Sequence, residues 1–366
     1  MIYNEFKNIK LSSLGMGAMR FPVIDGDDKK IDVDQTKEMV KYAFSKGVNY
    51  IDTAWIYHGG NSESVLGEIL KEYPRESFYL ATKFPGFDKN NFEKIEEIFE
   101  KQLEKCQTTY FDFYLLHNVS EGNVDLYLDE EIGLIEYLLK QKELGRIKYL
   151  GFSAHGSIPT LKKFLEKTSE VMEFCQLQIN YIDYTFQKAK EKIELMTSYN
   201  IPVWVMEPLR GGKLANLREE YLERLSKYRD ENAVSWAFRF LQTIPEIKMI
   251  LSGMSNFEQL KENIEIFSEY KPLNDDELKE VLEIARLMSR GIPCTACKYC
   301  VKYCPKGLDI PRLLNIANEK AFMGLMPWSI NGVPSDKRFD ACIGCRRCEA
   351  VCPQNIKISE VMKSML

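Results

Sequence analysis

Between residues 12 and 266 the chain alternates short apolar runs with longer stretches in which apolar positions recur every three or four residues. The runs predict strands at Leu14–Met19, Asn49–Thr53, Phe78–Lys83, Phe111–His117, Tyr149–Ala154, Phe174–Ile179, Pro202–Glu207 and Lys248–Gly253. The longer stretches predict helices over 34–46, 62–72, 91–106, 131–144, 157–167, 187–199, 231–242 and 256–267. Several runs are continuously apolar, as strands covered on both faces have to be. Eight strand-then-helix units over about 250 residues is the count of a TIM (β/α)8 barrel. The competing architecture, a doubly wound sheet, wants a G-x-G-x-x-G after its first strand, and none stands there.

The pattern changes after residue 267. The stretch from Tyr270 to Asp276 supplies a turn and a helix cap, and ELKEVLEIARLMS continues as one amphipathic helix. The expected division is a barrel over 1–270, a linker helix over 271–291 and a small domain over 292–366. Two more helical patterns, IPRLLNIANEKAF and NIKISEVMKSML, make the small domain mainly helical.

Composition adds exclusions. Hydrophobic residues at 45% and charged residues at 28% suit a globular chain. A formal charge of −5 and a pI near 5.6 disfavour nucleic acid as a partner. No apolar run reaches the length of a membrane span, and the N-terminus has no basic stretch followed by an apolar core. A reducing cytoplasm is the expected location.

Eight of the ten cysteines fall in two copies of C-x2-C-x2-C-x3-C followed by proline: Cys294, Cys297, Cys300, Cys304 and Pro305, then Cys342, Cys345, Cys348, Cys352 and Pro353. Bacterial-type ferredoxins hold two [4Fe–4S] clusters with this run, and its fourth cysteine serves the other cluster. The expected ligand sets are therefore Cys294, Cys297, Cys300 and Cys352 for one cluster, and Cys342, Cys345, Cys348 and Cys304 for the other. Structural zinc would use C-x2-C pairs and leave the third cysteine of each triplet and the repeated Cys-Pro unexplained. Disulfides need an oxidising compartment. Cys106 and Cys175 stand apart from both runs, and inert burial is expected of them.

In a barrel of this kind chemistry sits where strands end. Those positions hold Asp52 and Tyr57, Lys83 and His117. An ammonium from Lys83 would favour the Tyr57 phenolate and lower its pKa, with Asp52 holding Lys83 charged. His117 would bond a substrate carbonyl or relay a proton. Each residue alone reads as an ordinary polar side chain at a strand end; together they form an acid–base set for protonating an alkoxide. The three histidines of the chain, His58, His117 and His155, all fall near strand ends, which raises a three-His metal site as a secondary reading against polar loops that simply recruit histidine.

The stretches GVNYIDTAWIYHGGNSESVLGEIL, LATK, DFYLLH, GFSAHG, MEPLRGGKL and GMSNFEQLKEN resemble the aldo-keto reductases in content and order over roughly residues 10–266. The resemblance implies a catalytic tetrad of Asp52, Tyr57, Lys83 and His117, with NAD(P)H as hydride donor and Tyr57 as general acid. It implies Ser153 and Gln178 at the nicotinamide carboxamide, with Ala154 where the family's asparagine stands and Met206 where many members stack a tyrosine. The loop after the seventh strand adds Pro208, Leu209 and Arg210, the last toward a phosphate. Gly253, Ser255 and Asn256 would cradle a phosphate at a helix N-terminus, with Glu262 and Asn263 at the adenine. Gln259 occupies the place of a cation that many members set against the 2′-phosphate. As a whole the chain resembles the branch that appends a cysteine-rich dicluster domain.

A nicotinamide gives up two electrons as a hydride, whereas a [4Fe–4S] cluster takes one. Four readings follow: a carbonyl reductase whose clusters are structural or serve a separate partner; a barrel that seats FMN or another flavin; clusters that pass electrons between a ferredoxin or flavoprotein and the substrate; and an electron-transfer or scaffold subunit with a retired barrel. The intact tetrad speaks against the last. The substrate expected is a small carbonyl compound.

Overall fold

The computed structural model describes residues 1–366 except 290, 293, 295 and 296. Residue 290, near the end of the expected linker helix, and the other three, in the expected small domain, therefore lie outside the described residues. Contacts divide the chain into Met1–Val281 and Leu282–Leu366.

The first unit opens with an antiparallel hairpin of β1 (Tyr3–Phe6) and β2 (Ile9–Ser12) that the periodicity does not announce. Phe6 and Leu11 join Tyr50, Phe113, Phe174 and Trp204 in one buried cluster, so the hairpin plugs the end of the barrel where the strands begin. Eight parallel strands then close on themselves: β3 (Leu14–Gly17), β4 (Tyr50–Asp52), β5 (Tyr79–Phe84), β6 (Phe111–Val119), β7 (Ile147–Ala154), β8 (Cys175–Gln178), β9 (Val203–Met206) and β10 (Ile247–Gly253), which pairs back to β3. The helices that follow the strands are α1 (Val33–Ser45), α2 (Ser62–Leu70), α3 (Ile95–Lys105), α4 (Leu134–Glu143), α5 (Ile158–Thr168), α6 (Ala189–Ser198), α7 (Ala233–Gln242) and α8 (Phe257–Ile266). The expected (β/α)8 barrel is thus present. Local chemistry starts several helices: Asp32, Asn232 and Asn256 each accept the backbone N–H three residues on, as N-caps do. Cys106 and Cys175 are both buried.

The helix after the turn, α9 (Asp275–Met288), contains the division between the two units. In the second unit, α10 (Ile310–Met323) begins behind Asp309, whose carboxylate accepts the Arg312 N–H, and stops at Gly324 with φ of 69°. With α11 (Ile358–Ser364) it encloses a core that includes Leu313, Leu314, Phe339 and Ile358, and the buried cysteines Cys300 and Cys348 belong to the same core. Among the described residues no helix is long and apolar enough to cross a membrane.

Candidate functional site

The last residue of β4 and the fifth of β5 meet inside the barrel mouth. Lys83 is 1% exposed and Asp52 3%, and the lysine Nζ donates to Asp52 Oδ1 at 2.5 Å, to the Thr53 carbonyl at 2.8 Å and to Tyr57 Oη at 3.3 Å. Burial alone would push the ammonium down, but the charge of Asp52 and the neighbouring Tyr57 outweigh it and hold Lys83 above its ordinary value. The lysine stays charged without water around it.

Tyr57 stands at the head of a tight turn, Tyr57–Gly60, in which His58 and Gly59 take left-handed backbone angles of φ 54° and 65°. His58 is 2% exposed and fixes that turn: its Nε2 accepts the Phe21 N–H at 3.2 Å, and its Nδ1 lies 2.7 Å from the Asp28 carbonyl. Burial raises the Tyr57 phenol above its ordinary value, and the Lys83 ammonium opposes this without reversing it. The expectation of a depressed phenol is corrected here. Desolvation prevails although the residue as a whole is half-buried, so the resting site keeps the proton on Tyr57.

His117 lies where the pairing of β6 with β7 shifts between Leu116 and Val119, an irregularity of the sort that re-aims a side chain. Its ring stands edge-on to Tyr57 at 6.3 Å and to Phe87 at 5.6 Å. Burial, with the Lys83 charge second, pushes the imidazole well below its ordinary value, and its Nδ1 is buried without a hydrogen-bond partner. Neutral imidazole faces the mouth. Tyr127 braces this strand by donating to the His117 carbonyl at 2.7 Å. The three histidines do not gather: His58 turns to Phe21 and Asp28, and among the described residues no group of three or more His, Cys, Asp or Glu side chains could hold a metal ion.

Around this centre lie the residues expected at a cofactor. Ser153 Oγ accepts the Asn118 N–H at 2.9 Å. Gln178 Nε2 donates to Asp183 Oδ2 at 2.8 Å, and Asn180 and Arg210 donate to the same oxygen at 2.7 and 3.1 Å. Asp183, fully buried, thereby ties the end of β8 to the loop after Met206, where Glu207, Arg210 and the two glycines that follow all have positive φ. Pro208 is buried and Leu209 half-buried within that loop. At α8, the N-cap Asn256 accepts the Gln259 N–H at 2.9 Å, and Gln259 Oε1 accepts the N–H of Ser255, one residue before the cap, at 2.8 Å. Asn263 bonds Ser252 at 2.9 Å and Glu262 accepts from Asn232 at 2.6 Å. Sequence reasoning missed Asp183 and Arg20. A Cβ on Gly253 would lie 2.7 Å from Arg20 Cγ, so the exposed Arg20 side chain lies over the end of β10. Its one legible signal is its place just past the first barrel strand.

In the second unit Cys294, Cys297, Cys300 and Cys352 line one cavity, and Cys304, Cys342, Cys345 and Cys348 line another. The structure therefore brings together the two crossed sets. Burial pushes the Cys300 thiol up to about 11, with Cys294, Cys297 and Cys352 adding to it. The same cause acts on Cys348, and Cys342 and Cys304 contribute there. Four thiols spread around each cavity suit a cluster of several irons.

Comparisons with known proteins match two families along the chain. The model for the aldo/keto reductase family matches residues 13–286, and that for a 4Fe-4S dicluster domain matches residues 293–356. Relatives include an uncharacterized oxidoreductase, YqkF, of Bacillus subtilis, 25% identical over 74% of this chain and 92% of its own length. The NADH-specific methylglyoxal reductase of Escherichia coli is 26% identical over 77% of this chain and 97% of its own. Among solved structures, aldo-keto reductase AKR11C1 of Bacillus halodurans in its holo form shares the fold, with a TM-score of 0.64 and 24% identity, covering 78% of this chain and 96% of that one.

Proposed function

We propose that this chain, which belongs to the aldo/keto reductase family, reduces small carbonyl compounds with NAD(P)H, with Tyr57 as proton donor. The observation that carries the proposal is the Lys83 ammonium, buried and bonded at once to Asp52, the Thr53 carbonyl and Tyr57 Oη. Bound nicotinamide would supply a hydride to the carbonyl carbon. Tyr57, protonated at rest, gives its proton to the oxygen, and the adjacent ammonium stabilises the phenolate left behind. Asp52 keeps Lys83 charged and aimed. Neutral His117 donates a hydrogen bond that orients the substrate carbonyl.

The cofactor positions fit with adjustments. Ser153 retains a hydroxyl hydrogen and Gln178 an amide oxygen for the carboxamide, and Met206 offers a polarizable thioether to the ring. Gly253, Ser255, Asn256 and the start of α8 would take a phosphate, with Arg20 as the cation in that neighbourhood. Gln259, Glu262 and Asn263 hold this rim in shape, and Arg210, with Pro208 and Leu209, shapes the loop after β9. The eight cysteines would hold two [4Fe–4S] clusters, one-electron centres whose exchange partner is a ferredoxin or flavoprotein. The setting is a reducing cytoplasm.

The test is anaerobic purification, cofactor extraction and steady-state assay with NADPH and NADH against a panel of aldehydes and ketones. The expected result is nicotinamide oxidation that depends on both carbonyl and protein. Extraction of a flavin from a protein that oxidises neither nicotinamide would overturn the proposal.

A further inference from the structure

The rim of the second cysteine cavity has features that holding a cluster does not require. Lys306, Ile343 and Arg346 line the cavity beside Cys304, Cys342, Cys345 and Cys348. Cys345 is exposed, and Ile343, two residues before it, is 60% exposed. Gly344 takes φ of 66° with no atom within 4 Å of where a Cβ would lie, and Arg346 takes φ of 58°, so the loop stands out from its surroundings. Lys306, Arg346 and Arg347 are exposed and form no ion pair among the described residues. Lys337 reaches the same rim, its Nζ donating to the Lys306 carbonyl at 2.7 Å. The imbalance extends over the domain: residues 294–366 hold eleven Lys and Arg against six Asp and Glu, in a chain whose net charge is −5.

An exposed apolar residue sharing a rim with exposed cations, beside a solvent-facing cysteine, suits a small, transient electron-transfer interface. We propose that the Cys342–Arg347 loop, with Lys306 and Lys337, docks an acidic one-electron carrier protein. The proposal rests on the cluster reading above. Ile343 supplies the dry contact, and the cations steer the encounter and set its orientation. In the exchange one electron leaves the reduced carrier and the cluster beneath the loop is reduced by one; no bond forms or breaks and no proton moves. The first cavity has its own exposed cysteine, Cys297, and its described lining includes one cation, Lys298, against Lys306 and Arg346 at the second.

The experiment uses the anaerobically purified full chain and a small acidic ferredoxin as probe. Binding is measured by calorimetry across a salt series, and reduction of the clusters by the dithionite-reduced ferredoxin is followed as loss of visible absorbance. The Arg346→Glu/Arg347→Glu variant is expected to weaken binding and slow reduction at least about tenfold at low salt, with the difference fading at high salt. Its iron content and its reduction by dithionite alone should match the parent. The Lys298→Glu variant, at the other cavity, should bind like the parent. If the double variant loses iron, Arg347→Gln, which alters no cavity-lining residue, is read in its place. Unchanged binding in the arginine variants, a larger effect at Lys298, or an iron-loaded parent that does not bind would overturn the docking site. A parent without iron would overturn the cluster reading itself, before any carrier is added.

Discussion

Lys83 and Asp52 form a buried pair whose members depend on each other, and removing one leaves the other charged in a place without water. A Lys83→Met variant is therefore expected to lose about 3–5 kcal/mol of stability in urea titrations, besides most of its activity. Loss of activity with unchanged stability would mean that the pair does not form as described. His117 gives a prediction about pH. Because burial and the Lys83 charge hold its imidazole neutral well below the ordinary value, kcat should show no limb near 6.5 that belongs to this residue. A limb there that disappears in His117→Gln would contradict the assignment. The four side chains were legible because each follows an apolar run, and strand ends are where such a barrel places chemistry. The state of Tyr57 was not legible: its neighbours can be inferred from strand order, but how far its phenol is withdrawn from water cannot. Asp183 was missed for a related reason, since its three donors, Gln178, Asn180 and Arg210, converge only after β8 and β9 pair.

Two connections between elements hold the mouth in shape. A Cβ added to Gly86, just beyond β5, would fall 2.0 Å from Tyr127 Oη, the group that donates to the His117 carbonyl. Gly86→Ala should cost about 1–3 kcal/mol and slow turnover by displacing that brace. Adding Tyr127→Phe should recover part of the stability but not the rate; no recovery at all would place the strain elsewhere. The second connection is Glu121, after β6, which accepts the Ser157 N–H at 2.8 Å and the Thr160 hydroxyl at 2.7 Å at the start of α5. Burial would raise this carboxyl, but those hydrogen bonds prevail and bring it down to about 2. A carboxylate lowered in the folded state stabilises above its unfolded value, near 4.5, and stops doing so as pH falls toward the folded one. Glu121→Gln should therefore be less stable than the parent at neutral pH, and the gap in urea midpoint should close as pH drops from 4.5 to about 2. A gap independent of pH would rule out the ionised cap. Most strands and helices begin and end within a few residues of their predicted bounds, because runs buried on both faces and regular helical periods leave little choice. The hairpin β1–β2 left no such trace: two four-residue strands with several exposed polar positions have too few apolar residues to show a period.

At the scale of the molecule, an aldo/keto reductase barrel is joined in one chain to a 4Fe-4S dicluster domain; with the cofactors proposed above, the first would move electrons in pairs and the second singly. The crossed cysteine sets make the second domain testable alone. Cys352→Ala should remove about half of the roughly eight irons and leave the cluster on Cys304, Cys342, Cys345 and Cys348. Equal damage from Cys352→Ala and Cys348→Ala to that same cluster would refute the crossing. The crossing was legible from the spacing, since three thiols two residues apart can share one tight loop while the fourth points away before proline. The exposed rim of Lys306, Ile343, Arg346 and Arg347 was not, because exposure and the lack of ion pairs are properties of the folded chain. The central claim, that Tyr57 protonates a carbonyl as hydride reaches it, is tested most directly by single-turnover mixing of the NADPH-loaded protein with an aldehyde, following nicotinamide absorbance in parent and Tyr57→Phe. The variant is expected to bind NADPH as the parent does and to transfer hydride about 10²–10⁴ times more slowly; equal rates in the two proteins would contradict Tyr57 as the proton donor.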